Sequence, residues 1–286
     1  MSYVERLFRD FPLERFLGEY LHRLPFALPG AAESVAELGT WGTLGRMLRS
    51  PGIRAMWVRQ GAWYEGPEPA DADAAQALAA EGWTAIVRHA EQHDEGIGRL
   101  ARDFRQTFRA EIDVHMFFTP PGQRGFTWHY DAEDVFILQT AGEKHYYLRK
   151  NTVQPWPLPE TLPADMQYER EIMPLSSVVL KAGDWLYVPN GYWHRAETPR
   201  GAGETAISLA VGVASRAAID LLALLRPRLV ESMVWRQRLP LGPRGEVTEH
   251  YRTLLGTLAD DLARTLRDPA VADDLVRQIV GGDTAG

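Results

Sequence analysis

The sequence predicts a mainly β protein with helices before and after its strands, and three observations carry that prediction. Between residues 113 and 213, six runs rich in β-branched and aromatic residues are divided by Gly, Pro and Asp turns: DVHMFFT, EDVFILQTA, KHYYLRK, SSVVLKA, DWLYVP and TAISLAVGV. No long helical pattern separates them, which favours an antiparallel sandwich or barrel over a parallel sheet with crossover helices. Helical periodicity dominates only after Ser215, where the strand signal ends.

Taken in order, residues 1 to about 50 read as short helices and turns. Asp10, Pro12 and Glu14 resemble a helix start ahead of LERFLGEYLH, whose Leu13, Phe16, Leu17 and Tyr20 give a partly apolar face. The prolines and glycine of RLPFALPG are expected to stop regular structure there. MWVRQGAWY and TAIVRH are candidate strands on either side of the Ala-rich helix DADAAQALAAEG, and a further helix is expected from Gly96 to Arg109. After the six strand candidates, AAIDLLALLRPRLVESMVW, HYRTLLGTLADDLARTL and PAVADDLVRQIV read as helices, with LPLGPRGE as the turn after the first. The expected division is a strand-rich region with its N-terminal helices over 1–214 and a helical region over 215–286.

Composition limits the chemistry. The 286 residues contain no cysteine, which excludes disulfides, thiolate nucleophiles and cysteine-ligated metals. Any metal must therefore be held by imidazole and carboxylate. Acidic residues outnumber basic ones, 38 to 31, so the net charge of -7 argues against a chain coated for nucleic acid. The N-terminus, MSYVERLFRDF, interrupts its apolar positions with charges and reads as neither signal peptide nor membrane span, so the cytoplasm is the expected compartment.

The strongest local signal is WHYD, Trp128 to Asp131. In extended backbone, His129 and Asp131 point to one side and Tyr130 to the other. GDWLYVPNGYWH, further along the chain, delivers His194 after a short strand and a Pro189-Asn190-Gly191 turn. A β-barrel can bring these three together as a two-His, one-carboxylate facial triad that leaves metal positions open. An HxD pair is often only a surface turn, and a lone histidine after a turn is often only hydrogen-bonded, so the residues alone leave both alternatives open.

At this point the sequence resembles the JmjC-type cupin dioxygenases, and among them the bacterial and eukaryotic ribosomal oxygenases, which hydroxylate residues in ribosomal proteins. The matching text runs from TPPGQRGFTWHYDAEDVFILQTAGEKHYYLRK through GDWLYVPNGYWHRAE to AISLAVGV, and FLGEYLHRLPFALPG looks like the family's opening segment. The resemblance implies a double-stranded β-helix core of the cupin or jelly-roll type, with an N-terminal helical cover and a C-terminal helical segment. It also implies an oxygenase that uses Fe(II), 2-oxoglutarate and molecular oxygen to hydroxylate a side chain of a protein or peptide, a ribosomal protein being one candidate. By position, the iron ligands fall on His129, Asp131 and His194, and the basic residue for the distal carboxylate of 2-oxoglutarate falls on Lys144. A strand lysine directed into a barrel needs an anionic partner, which is consistent with that role, while the residues alone also allow an exposed lysine at a strand end near Glu143.

Three further positions fall at or near the implied cosubstrate pocket, although His115 reads equally as a hydrogen-bonded sheet histidine. Phe117 stands where several relatives have a tyrosine, His115 where asparagine is frequent, and Ser208 near a polar position that lines the iron pocket. Phe117 donates no hydrogen bond, so cosubstrate contacts must come from elsewhere. LLALLRPRLVESMVWRQRLPL looks like the family's homodimerisation segment, followed by too few residues for a full winged helix. No direct nucleic-acid or membrane partner is expected. A small-molecule or natural-product hydroxylase of the same chemistry, or a non-catalytic cupin that binds a ligand or partner, remains an alternative on the sequence.

Overall fold

The computed structural model describes residues 1–50, 52–53, 55–59, 62–164 and 176–280. The chain divides into two compact units, Met1–Ser215 and Arg216–Gly286. In the first, short helices α1 (Tyr3–Leu7) and α2 (Leu13–Glu19) precede strand β1 (Phe26–Leu28) and helix α3 (Trp41–Leu48). Strands β2 (Ala55–Arg59) and β3 (Ala62–Trp63), helix α4 (Ala72–Ala80), strand β4 (Thr84–Val87) and helix α5 (Glu95–Phe108) follow. The strand-rich block then comprises β5 (Glu111–Thr119), β6 (Asp134–Ala141), β7 (Glu143–Arg149), β8 (Ser176–Lys181), β9 (Trp185–Val188), β10 (Trp193–Glu197) and β11 (Ala206–Ala214).

Among the described residues these strands form two sheets, one of order β1-β9-β6-β11-β5-β4-β2-β3 and one of order β10-β7-β8. Every pairing within them is antiparallel. The two ladders are separate, so the observed architecture is a mixed α/β fold around a two-sheet core.

Strand alternation explains how the layers assemble. In β6, Phe136 and Leu138 enter a large core cluster with helical residues, whereas Val135 and Ile137 join a second cluster with Tyr146 and Leu148 of β7 and Leu180 of β8. In β9, Trp185 and Tyr187 follow the first pattern, and Leu186 and Val188 the second. Burial on both faces accounts for the near-continuous hydrophobic run VFIL. Helix α5 covers one face with Ile97, Leu100, Ala101 and Phe104, and its N-terminus is capped by Asp94, which accepts from the Gly96 and Ile97 amides at 2.9 and 3.2 Å. Phe104, Phe136 and Trp185 are fully buried, Phe136 lying 5.2 Å from Phe104 and 5.7 Å from Trp185 between ring centroids. Each such side chain contributes about 2–3 kcal/mol by burial.

The second unit contains α6 (Leu221–Leu229), α7 (Arg244–Arg267) and α8 (Pro269–Val280). No described helix is long and apolar enough to cross a membrane.

Several local expectations need correction. RLPFALPG contains a strand, because Pro25 and Pro29 flank β1 and leave its three residues free to pair with β9 at the sheet edge. His194 lies on a strand, β10, which pairs with β7 although WHRAE lacks an apolar alternation. The helix expected over 217–235 ends at Leu229: Pro227 removes one helical donor, and the chain continues in short turns such as Glu231 N–H to Arg228 C=O at 3.2 Å. Helix α7 begins six residues earlier than the HYRTLL pattern, directly after Pro243.

Candidate metal centre

Two of the three candidate ligands are fixed by one backbone device. His129 N–H donates to the His194 carbonyl at 3.1 Å, and His194 N–H donates back to the His129 carbonyl at 2.8 Å. This reciprocal bridge holds the imidazole centroids 4.2 Å apart. The ring nitrogens are also sorted. Nδ1 of His129 lies 2.8 Å from the Thr127 carbonyl, and Nδ1 of His194 lies 3.0 Å from the Tyr192 carbonyl. A carbonyl only accepts, so each Nδ1 carries the proton and each Nε2 keeps its lone pair.

Asp131 completes the group, its Oδ2 lying 3.4 Å from His194 Nε2. One ligand atom from each of His129, Asp131 and His194 lies within 4.8 Å of the others. Burial, reinforced by neighbouring His129, pushes the His194 imidazole down to about 4, so it remains neutral and able to ligate well below neutral pH. The Asp131 carbonyl accepts from Gly191 N–H at 3.0 Å, which ties this ligand to the turn preceding His194.

These residues open into a cavity of about 490 Å³ between the inner faces of the two sheets. Lys144 lines it and is 4% exposed. Its ammonium lies 5.4 Å from the Phe117 ring and 5.8 Å from the Tyr146 ring, and it has no carboxylate partner among the described residues. Burial alone lowers its pKa from 10.5 to about 8.

Strand register orders the cavity along its length. Phe117, His115 and Asp113 of β5 stand opposite Ser208, Ala210 and Gly212 of β11. The cosubstrate candidates Lys144, Phe117 and Ser208 therefore share one end with Tyr146. His115 lies further along, with its buried Nδ1 lacking a hydrogen-bond partner among the described residues and its ring 5.5 Å from that of His89. Asp113 and Glu133 mark the other end, roughly 13 Å away at the rise of an extended strand. Burial, followed by the charges of Asp113, Asp131 and Asp134, raises the Glu133 carboxyl to about 8.

Gly212 makes this acidic end possible. A Cβ there would stand 2.5 Å from Asp113 Oδ1 and 2.7 Å from the Glu133 carboxylate. Sequence reasoning passed over Asp113 and Glu133, and read Tyr146 as an aromatic of the core or rim without a cosubstrate role. For Tyr146 the signal was available, because it lies two residues from Lys144 on the same strand and therefore on the same face.

Comparison with known proteins places these observations among relatives. A family model described as JmjC domain matches residues 87–221. The bifunctional lysine-specific demethylase and histidyl-hydroxylase NO66 of Dictyostelium discoideum is 32% identical over 119 residues, which cover 42% of this chain and 23% of that protein. Ribosomal oxygenase 1 of Gallus gallus is 36% identical over 93 residues, covering 32% of this chain and 16% of that protein. The chain thus spans less than a quarter of the length of these curated relatives. Among solved structures, YcfD of Escherichia coli is similar with TM-score 0.55 and 20% identity, over 87% of this chain and 68% of that one. A structure of YcfD, a ribosomal oxygenase, in complex with cobalt and 2-oxoglutarate gives TM-score 0.52 and 17% identity, over 95% of this chain and 71% of that one. The structural likeness concerns the fold.

Proposed function

We infer, from a chain whose residues 87–221 form a JmjC domain homologous to the ribosomal oxygenases, that the protein is an iron(II)- and 2-oxoglutarate-dependent oxygenase acting on a side chain of a protein or peptide. The observation that carries this reading is the shared cavity of His129, Asp131, His194 and a buried Lys144 that has no carboxylate partner among the described residues. The donor set fits a divalent iron: two imidazoles with free Nε2 atoms and one carboxylate bind without filling the coordination sphere. The orphaned ammonium fits the far carboxylate of a dicarboxylate cosubstrate.

When bound, iron with 2-oxoglutarate and oxygen supplies the oxidation that yields succinate, carbon dioxide and one hydroxyl on the substrate. The chain's own residues bind and orient. His129, Asp131 and His194 hold the metal, and Lys144 anchors 2-oxoglutarate. The Tyr146 and Ser208 hydroxyls supply the polar contacts that Phe117 lacks, while Phe117 walls the pocket and His115 offers its unpartnered nitrogen. The Asp113 carboxylate, with the Glu133 carboxyl that an incoming cation would ionise, favours a cationic substrate side chain, which suits basic ribosomal proteins. The two sheets are read as the halves of a double-stranded β-helix. In the helical unit, exposed Met233, Leu239, Leu241 and Leu255 support the reading of 215–286 as a homodimerisation segment attached to a catalytic region over 1–214.

The test combines iron-loaded protein and 2-oxoglutarate with ribosomal proteins and total cell peptides, measuring succinate and seeking a gain of one oxygen by mass spectrometry. A hydroxylated protein residue is the expected result. Turnover confined to small molecules would move the assignment to a small-molecule hydroxylase, and absence of any turnover would leave a ligand-binding module.

A further inference from the structure

The acid-imidazole pair His22–Asp134 lies outside the three ligands, yet it connects the N-terminal segment to the turn that delivers one of them. Asp134 is 1% exposed, a depth at which an ionised carboxylate needs full hydrogen bonding. Both oxygens are occupied. Oδ2 lies 2.6 Å from His22 Nδ1, while Oδ1 accepts from the Tyr187 hydroxyl at 2.5 Å and from the Asn190 amide at 3.1 Å.

The same turn is gripped from the N-terminal side at two more points. The His22 amide donates to the Tyr187 hydroxyl at 2.7 Å, and the Tyr192 hydroxyl donates to the Arg23 carbonyl at 3.1 Å. His22 adopts a left-handed backbone with φ of 59°, which is uncommon for a residue with a β-carbon and persists where surrounding contacts fix it. From Asn190 the connection reaches the metal centre in one step on either side. Gly191 N–H donates to the Asp131 carbonyl at 3.0 Å, and the Tyr192 carbonyl accepts from the His194 ring at 3.0 Å.

We propose that His22 and Asp134 are positioning residues, forming a clasp through which the N-terminal segment holds the Pro189–Tyr192 turn and so sets the placement of Asp131 and His194. The clasp rests on the metal-centre reading for its functional meaning and on hydrogen-bond geometry for its existence. His22 touches neither ligand, and it acts only through Asp134, Tyr187 and the turn.

The experiment compares wild type with His22→Ala and His22→Asn, using cobalt(II) alone as the metal probe. Asparagine places an N–H donor near the former Nδ1 and tolerates the left-handed backbone. His22→Ala should weaken cobalt binding about tenfold, alter the visible spectrum of the bound ion and speed amide exchange at Asn190 and Gly191. His22→Asn should restore all three toward wild type. Unchanged cobalt affinity, spectrum and exchange in His22→Ala would overturn the clasp, and so would equal loss in both variants. If wild type bound no cobalt, the metal-centre reading would fall, while the exchange rates at Asn190 and Gly191 would still decide on the clasp.

Discussion

At the scale of single residues, Lys144 carries the sharpest trade between stability and binding. Lowering its pKa from 10.5 to about 8 costs the native state ~3 kcal/mol wherever the buried ammonium stays charged. That cost is full below pH 8 and fades as pH rises toward the unfolded value. Lys144→Met should therefore raise the melting temperature of the metal-free protein at pH 7 while weakening 2-oxoglutarate binding by at least about 100-fold, as read by calorimetry. For wild type, 2-oxoglutarate affinity should hold below pH 8 and fall above it by up to about tenfold per unit, as the free protein loses the proton that the dicarboxylate needs. A flat affinity profile through pH 9 would remove Lys144 from the cosubstrate site. His129→Ala or Asp131→Ala should abolish iron-dependent succinate formation without unfolding the chain, which circular dichroism would verify.

At the scale of elements, the strand faces determine what can be changed. Phe104 on α5 fills the aromatic core under β6 and β9, so Phe104→Ala should cost about 3–5 kcal/mol in denaturant unfolding. Gly212→Ala on β11 would drive a methyl into Asp113 and Glu133, and should narrow the acidic end and raise KM for a cationic peptide more than KM for 2-oxoglutarate. The hydrogen bond to Asp134 raises the His22 pKa, opposed by burial and by nearby Arg23. Stability from this pair is therefore complete below pH 6.5 and is lost as pH climbs through the raised native value; the melting-temperature gap between wild type and His22→Asn should shrink over that interval. Alternation made β5 legible in the sequence, and runs of β-branched and aromatic residues made β6, β9 and β11 legible, because these three are buried on both faces. It could not reveal β10, whose HRA core of polar and small residues is held by pairing with β7, nor β1, which is only three residues long. HxD followed by a distant histidine was legible as a metal set. The opposition of Asp113 to Gly212 was not, since it depends on the register of β5 against β11.

At the scale of the whole molecule, charge and exposed apolar residues set the external behaviour. If the substrate is a basic peptide, as proposed, a chain of net charge -7 should show KM rising with ionic strength, measurable between low and physiological salt. Leu241, 95% exposed in the helical unit, supplies the test of self-association: Leu241→Glu together with Met233→Glu should reduce the light-scattering mass from two chains to one without altering cobalt binding. A wild-type mass of one chain would discard the dimer. The reciprocal main-chain bridge between His129 and His194 has a consequence for the protein's lifetime. Its two halves are separated by most of the strand-rich block, so loss of the fold in that block separates the ligands. A bound ion thus binds only the folded chain and raises its stability with the logarithm of free metal concentration. With iron as the metal, as proposed, starvation for it would act on this protein twice, first by silencing it and then by leaving it easier for proteases to destroy.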